Sequence, residues 1–174
     1  PWLSYKAQGG SAGPLKDGKN SHCEGGFRVP CIVWGGMVKP GHITQMGSTL
    51  DLLPTCCEMA GVDLPASVTL DGVSLLNVLR DSKARSKRDT FFFYRGSRLY
   101  AVRKGNYKLH YMNKSAYGND KVVLYEHPKL YDLGTDTAEK FDIAEKHPQI
   151  VRELDRLAKE HQASFSIASS IFDL

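Results

Sequence analysis

Two apolar segments, Leu99–Arg103 and Tyr107–Tyr111, stand on either side of Lys104-Gly105-Asn106. Strand-forming residues flanking a short turn with glycine leave little choice but an antiparallel hairpin. Phe91-Phe92-Phe93-Tyr94 supplies a strand before it, Lys129–Leu133 one after it, and Val122–Tyr125 extends the sheet. Asn113–Asp120 reads as a polar loop. From about Pro148 to Phe165 the period changes: Ile150, Val151, Leu154, Leu157, Ala158 and His161 return on one helical face, with Pro148 suited to the first helical position. An amphipathic helix next to an antiparallel sheet covers one of its faces. Residues 89–174 therefore read as a small α+β domain, an antiparallel sheet with a C-terminal helix.

Upstream, Asp81–Arg88 is polar and basic without interleaved aromatics, which reads as a solvated link and marks a boundary after residue 88. Within residues 1–88, Val29–Trp34 is predicted as a buried strand, apolar on both faces like a central strand whose neighbours lie upstream. A helix is expected from Asp51, its cap, to Ala60, with Pro54 in the first turn and Gly61 as a left-handed stop. Leu53, Cys56, Cys57 and Ala60 share one face of it. Ser74–Leu79 is a short apolar helix. No repeat or low-complexity run appears.

Of 174 residues, 41% are hydrophobic and 24% charged, an ordinary globular balance. The net charge of +4 without a basic stripe gives no support to nucleic-acid binding. No apolar run approaches the roughly 20 residues of a membrane span. The first residue is Pro1, which suggests a fragment or processed product. Cys23, Cys31, Cys56 and Cys57 have no Cys-x-x-Cys zinc spacing and read as small buried apolar residues, with the redox compartment left open.

Function concentrates in the turn-rich stretch Gly13–Pro30, with its four glycines, Lys16, Lys19, Arg28, His22 and Cys23. Glycines let a backbone approach a ligand, and cations suit an anion. The residues alone leave two readings open, an anion-binding loop and a solvated basic loop.

Longer patterns narrow the choice. Gly18-Lys19 followed by Glu24-Gly25-Gly26-Phe27-Arg28-Val29-Pro30 resembles the corresponding segment of the arylsulfatase-type sulfatases, of the alkaline phosphatase-like class. Ser48–Thr55, Ala60-Gly61, Leu70–Leu76, Tyr100–Lys108 and Leu130–Leu133 follow that family's order and spacing. The resemblance implies a sulfuric ester hydrolase of α/β architecture. Residues 1–88 would be the C-terminal end of its mixed-sheet catalytic domain and residues 89–174 the small domain that follows. Such enzymes use formylglycine, matured from Cys-x-Pro-x-Arg, and a divalent cation, usually Ca2+. None of the four cysteines here is followed by x-Pro-x-Arg, so nucleophile and metal ligands are expected upstream, no metal ligand is assigned to this chain, and the chain alone is expected to be inactive.

By the same resemblance Lys19 is the catalytic lysine that contacts the sulfate, and Lys16 is a spectator. His22, three residues after Lys19, is placed to donate a proton or hydrogen bond to substrate, with a plain polar loop as the other reading, and His127 is by its neighbourhood a second substrate-side residue at the rim. Glu24, Gly25, Gly26 and Arg28 are structural: the glycines permit the turn, while Glu24 and Arg28 fasten it. His42, His110, His147 and His161 need no more than surface or half-buried positions. The expected partner is a small-molecule or carbohydrate sulfate ester, without nucleic acid or membrane, and the family suggests a secreted, periplasmic or lysosomal setting. Two alternatives are carried: a related phosphoryl or phosphonate hydrolase, and a truncated chain that only binds sulfated ligands.

Overall fold

The computed structural model describes residues 10–64, 67, 69–114 and 121–166. In chain order its helices are a single turn α1 (Glu24–Phe27), α2 (Leu52–Ala60), α3 (Leu76–Arg80) and α4 (Pro148–Ala163). Its strands are β1 (Thr90–Arg95), β2 (Arg98–Lys104), β3 (Tyr107–Asn113) and β4 (Val123–Asp132). Two compact units result: residues up to Val29 join those from Thr90 onward, and Pro30–Asp89 form the other. The break at Asp89/Thr90 lies beside the basic link, but the N-terminal loop groups with the sheet rather than with the residues that follow it. The reason is a set of buried ion pairs described below.

In the first unit the four strands form an antiparallel meander in the order β1-β2-β3-β4. The hairpin turn falls at Gly105-Asn106, with Gly105 at φ 56°. The two segments expected at Val122–Tyr125 and Lys129–Leu133 are one continuous strand, β4. Much of the predicted loop after Asn113 lies outside the described residues. An irregularity opposite Phe93/Tyr94 pairs Phe93 with Ala101 and Tyr94 with Leu99. That extra residue on β2 lets Leu99 and Val102, three apart, share a face. Val102, Leu109 and Leu130, fully buried and in register, pack there with Leu154 and Ala158 of α4. Pro148 opens α4, as its fixed φ favours, and His161 stacks on Phe92 with centroids 3.7 Å apart.

The opposite face carries Phe93, Ala101, Arg103, Lys108, His110 and Tyr131. An antiparallel sheet commonly leaves such a face to water. Here Lys108 is 0% and His110 2% exposed, because the Lys16–Phe27 loop and Glu139 cover them.

In the second unit α2 ends at Gly61 in the left-handed conformation, φ 67°, as expected. Its start differs from expectation. Ser48, not Asp51, caps the preceding 3-10 turn, and Asp51 completes a capping box by accepting from Ser48 N. Asp51 is otherwise committed to Arg88, Nε–Oδ2 2.7 Å, and to Val73 N. Burial would raise the Asp51 carboxyl, but these partners hold it below the usual carboxylate range. Pro54 and Thr55 are the buried residues of α2, while Leu53, Cys56 and Ala60 are exposed, so of the four cysteines expected to be buried only Cys23 is.

Val29–Trp34 forms no strand, which corrects the sequence expectation. Ile32 is 93% and Trp34 96% exposed. A strand needs a partner for its backbone N–H and C=O groups, and no segment among the described residues pairs with this run.

Candidate functional site

The loop ahead of α1 is shaped by its backbone. Asp17 and Asn20 lie at positive φ, 63° and 74°, a conformation more accessible to Asp and Asn than to most residues. Gly25 N donates to Lys16 O (2.8 Å) and Gly26 N to Cys23 O (2.9 Å). A Cβ on Gly25 would collide with the Asp17 and Lys16 carbonyls, and one on Gly26 with the Ser21 carbonyl. Both glycines are therefore needed for close backbone approach. They act in a helical turn rather than in entry to a strand.

Below the loop lies a buried charged cluster. Lys108 Nζ stands 2.9 Å from Glu24 Oε1, 3.1 Å from Glu139 Oε1, and donates to the His22 carbonyl at 2.8 Å. Arg103 meets Glu24 Oε2 at 2.9 Å. Glu139 Oε2 accepts from Glu24 N at 2.9 Å, and its carbonyl accepts from Lys16 Nζ at 3.1 Å. Two cations thus face two carboxylates. Glu139 sits at φ 51°, a conformation glutamate rarely adopts, and its side-chain and backbone contacts hold it there. Glu24 fastens the loop through Lys108 and Arg103. Arg28 is half exposed, 3.9 Å from Glu24. Lys16 is an anchor and not a spectator.

His22 and His110 continue the cluster. His22 Nε2 is 3.0 Å from His110 Nδ1, and His110 Nε2 is 2.8 Å from Glu139 Oε1. Burial lowers the imidazole of His22 to about 3 and that of His110 to about 4, reinforced at His22 by His110 and Lys108. Burial would raise Glu139, yet His110 and the Lys108 ammonium hold it at about 2. Cys23, buried beside them, is pushed up to about 12, which leaves it an inert thiol.

These shifts all act in one direction. A histidine kept neutral by folding loses stability once the unfolded chain protonates below 6.5, and continues to lose it down to the folded value. A carboxylate with a depressed value loses its contribution as pH falls from about 4.5 to about 2. Thermal melts followed by circular dichroism should therefore show the sheet unit losing on the order of several kcal/mol between pH 7 and pH 4. A midpoint that stays level over that range would contradict the buried neutral pair.

Above the cluster is a cavity of about 320 Å³ whose lining includes Lys19, Asn20, His22, Phe27, Tyr94 and Arg95. Lys19 is exposed, at the end of a turn whose base is fixed. The structure thus brings Lys19 and His22 together. His127 lies exposed on β4 and does not line this cavity. Lys108, His110 and Glu139 were not singled out from sequence. The alternation Lys108-Leu109-His110 in a strand was the available signal, and by itself it does not separate a solvated face from a buried charged one. Among the described residues no group of three or more His, Cys, Asp or Glu side chains is arranged to hold a metal ion. The Glu24 and Glu139 carboxylates already face ammonium and guanidinium groups, so Ca2+ does not fit there. Among the described residues no helix is long and apolar enough to cross a membrane.

Comparison with known proteins agrees with this architecture. Residues 86–174 match the family described as the C-terminal region of aryl-sulfatase. Arylsulfatase A of Bos taurus is 33% identical over 196 residues, covering 98% of this chain and 38% of that protein. The PsFucS1 sulfatase from Pseudoalteromonas sp. shares the fold, with a TM-score of 0.76 at 24% identity over 86% of this chain and 32% of that one. Ps i-CgsB, solved in complex with k-i-k-neocarrahexaose, superposes with a TM-score of 0.68 at 25% identity over 88% of this chain and 33% of that one. The chain spans little more than a third of the length of the curated relatives it matches. With a four-stranded sheet, a covering C-terminal helix and this match over half its length, the chain belongs to the sulfatases and carries the C-terminal region of an aryl-sulfatase.

Proposed function

We propose that this chain is the C-terminal part of an enzyme that hydrolyses sulfate esters, with Lys19 contacting the sulfate. The observation that carries the reading is the placement of Lys19: an exposed ammonium lines a cavity from a loop clamped by a buried, charge-balanced cluster. A compact cation held in place suits a group that spreads negative charge over several oxygens and gains more on the ester oxygen in the transition state. Placement before the reaction means little reorganisation during it. Formylglycine and Ca2+ would supply the nucleophile and the polarisation of sulfate from elsewhere in the polypeptide, since no cysteine here is followed by x-Pro-x-Arg and no residue set among the described residues fits the cation.

The test is hydrolysis by the complete polypeptide containing this chain, compared with residues 1–174 alone. The complete protein should turn over para-nitrophenyl sulfate, and the 174-residue chain should not. Turnover by the short chain above its Lys19→Ala variant would overturn the division of labour. Preference of the complete protein for a phosphate monoester or phosphonate would shift the reading to the related hydrolases.

A further inference from the structure

The contacts beneath Lys19 fix more than the position of the loop; they fix which nitrogen of each imidazole carries hydrogen. Glu139 is a carboxylate, and His110 Nε2 lies 2.8 Å from its Oε1. A bare ring nitrogen would repel that oxygen, so Nε2 carries the proton. His110 is neutral, which leaves its Nδ1 as an acceptor. His22 Nε2, 3.0 Å from that Nδ1, must then donate. His22 is neutral too, so its own Nδ1 is a bare lone pair. That atom is buried and makes no hydrogen bond among the described residues, nor do His110 Nε2 and Glu139 Oε1, whose 2.8 Å approach is a charge contact; His22, 1% exposed, lines the cavity beside Lys19.

We propose that the Glu139–His110–His22 chain makes His22 Nδ1 a hydrogen-bond acceptor toward the ligand, so that the site takes a sulfate ester bearing a hydroxyl close to the sulfate. The hydroxyl donates to His22 while Lys19 meets the sulfate oxygens. This rests on the proposed role of Lys19 and adds a substrate class, a sugar sulfate in preference to a plain aryl sulfate. It also reverses the role the sequence suggested for His22. A sulfate oxygen is itself an acceptor, and the lone pair of Nδ1 would repel it. A buried acceptor left empty is costly, which is why such sites discriminate strongly for the group that fills them. His110 and Glu139 touch no ligand in this scheme; they are positioning residues.

Histidine-labelled 174-residue protein provides one test. Long-range proton–nitrogen spectra should show His22 and His110 in the Nε2–H form at neutral pH. The His22 Nδ1 resonance should move on addition of galactose-6-sulfate and stay put with inorganic sulfate. A His22 that carries its proton on Nδ1, or a resonance that moves with both ligands or neither, overturns the proposal. In the complete polypeptide, His22→Phe should lower kcat/KM for galactose-6-sulfate by about tenfold or more, mainly through KM. Its loss on para-nitrophenyl sulfate, which carries no such hydroxyl, should be several-fold smaller. Equal losses on both substrates would reduce His22 to a structural residue. Lys19→Ala separates the two readings: if it leaves both substrates unaffected, the sulfate site itself is misplaced, whereas loss on both with a selective His22 effect supports the pair.

Discussion

Replacing Lys19 by Ala in the complete polypeptide should lower kcat and kcat/KM together, by roughly a hundredfold or more, as expected for one preorganised charge-stabilising group. The argument rests on timing. Negative charge on the ester oxygen is small in bound substrate and larger as the sulfur–oxygen bond breaks, so the ammonium contributes most in the transition state. Lys19→Arg should recover only part of the rate, because the planar guanidinium cannot occupy the position of the ammonium. The structure decides the control. Lys16 binds the Glu139 carbonyl and lies over the Tyr131 ring, so its removal loosens the loop and is not neutral. Lys39, exposed and in the other unit, is the appropriate comparison. Steady-state kinetics with near-wild-type kcat for Lys19→Ala, or an equal loss for Lys39→Ala, would remove Lys19 from the mechanism.

Lys108→Met should be the most damaging single change to folding. Lys108 is fully buried between Glu24 and Glu139, and methionine fills similar space without the charge. Breaking a buried pair by removing one partner costs about 3–5 kcal/mol, because the carboxylate left behind is neither solvated nor paired. By contrast Lys104→Met breaks a half-exposed pair with Glu153 and should cost at most about 1 kcal/mol. The pH dependence identifies the cause. Without Lys108 the Glu139 carboxyl rises in the folded state, so protonation relieves the variant as pH falls, while the parent protein loses stability. The gap between them in denaturant melts should therefore narrow from pH 7 toward pH 4. A gap of constant size would mean that Lys108 acts through packing alone.

Local features were legible in the sequence because their causes are local. Gly105 between two strand-forming runs determined the hairpin, Gly61 the end of α2, and Pro148 with a 3.6-residue apolar period the start and face of α4. The glycine-lysine loop was legible as a candidate anion site, although its residues alone did not separate it from a solvated loop. The buried cluster was not legible. Lys108 meets Glu24 across 84 residues, His22 meets His110 across 88, and Glu24 meets Glu139 across 115. Alternating Lys108 and His110 around Leu109 describes a face directed to water equally well as one directed into a salt-bridged interior. Only the fold, by laying the N-terminal loop over the sheet face opposite α4, takes that face out of water. Val29–Trp34 shows the converse. Apolar composition made a buried strand the natural expectation, but burial and pairing belong to partner segments, and a run of six residues cannot carry its own.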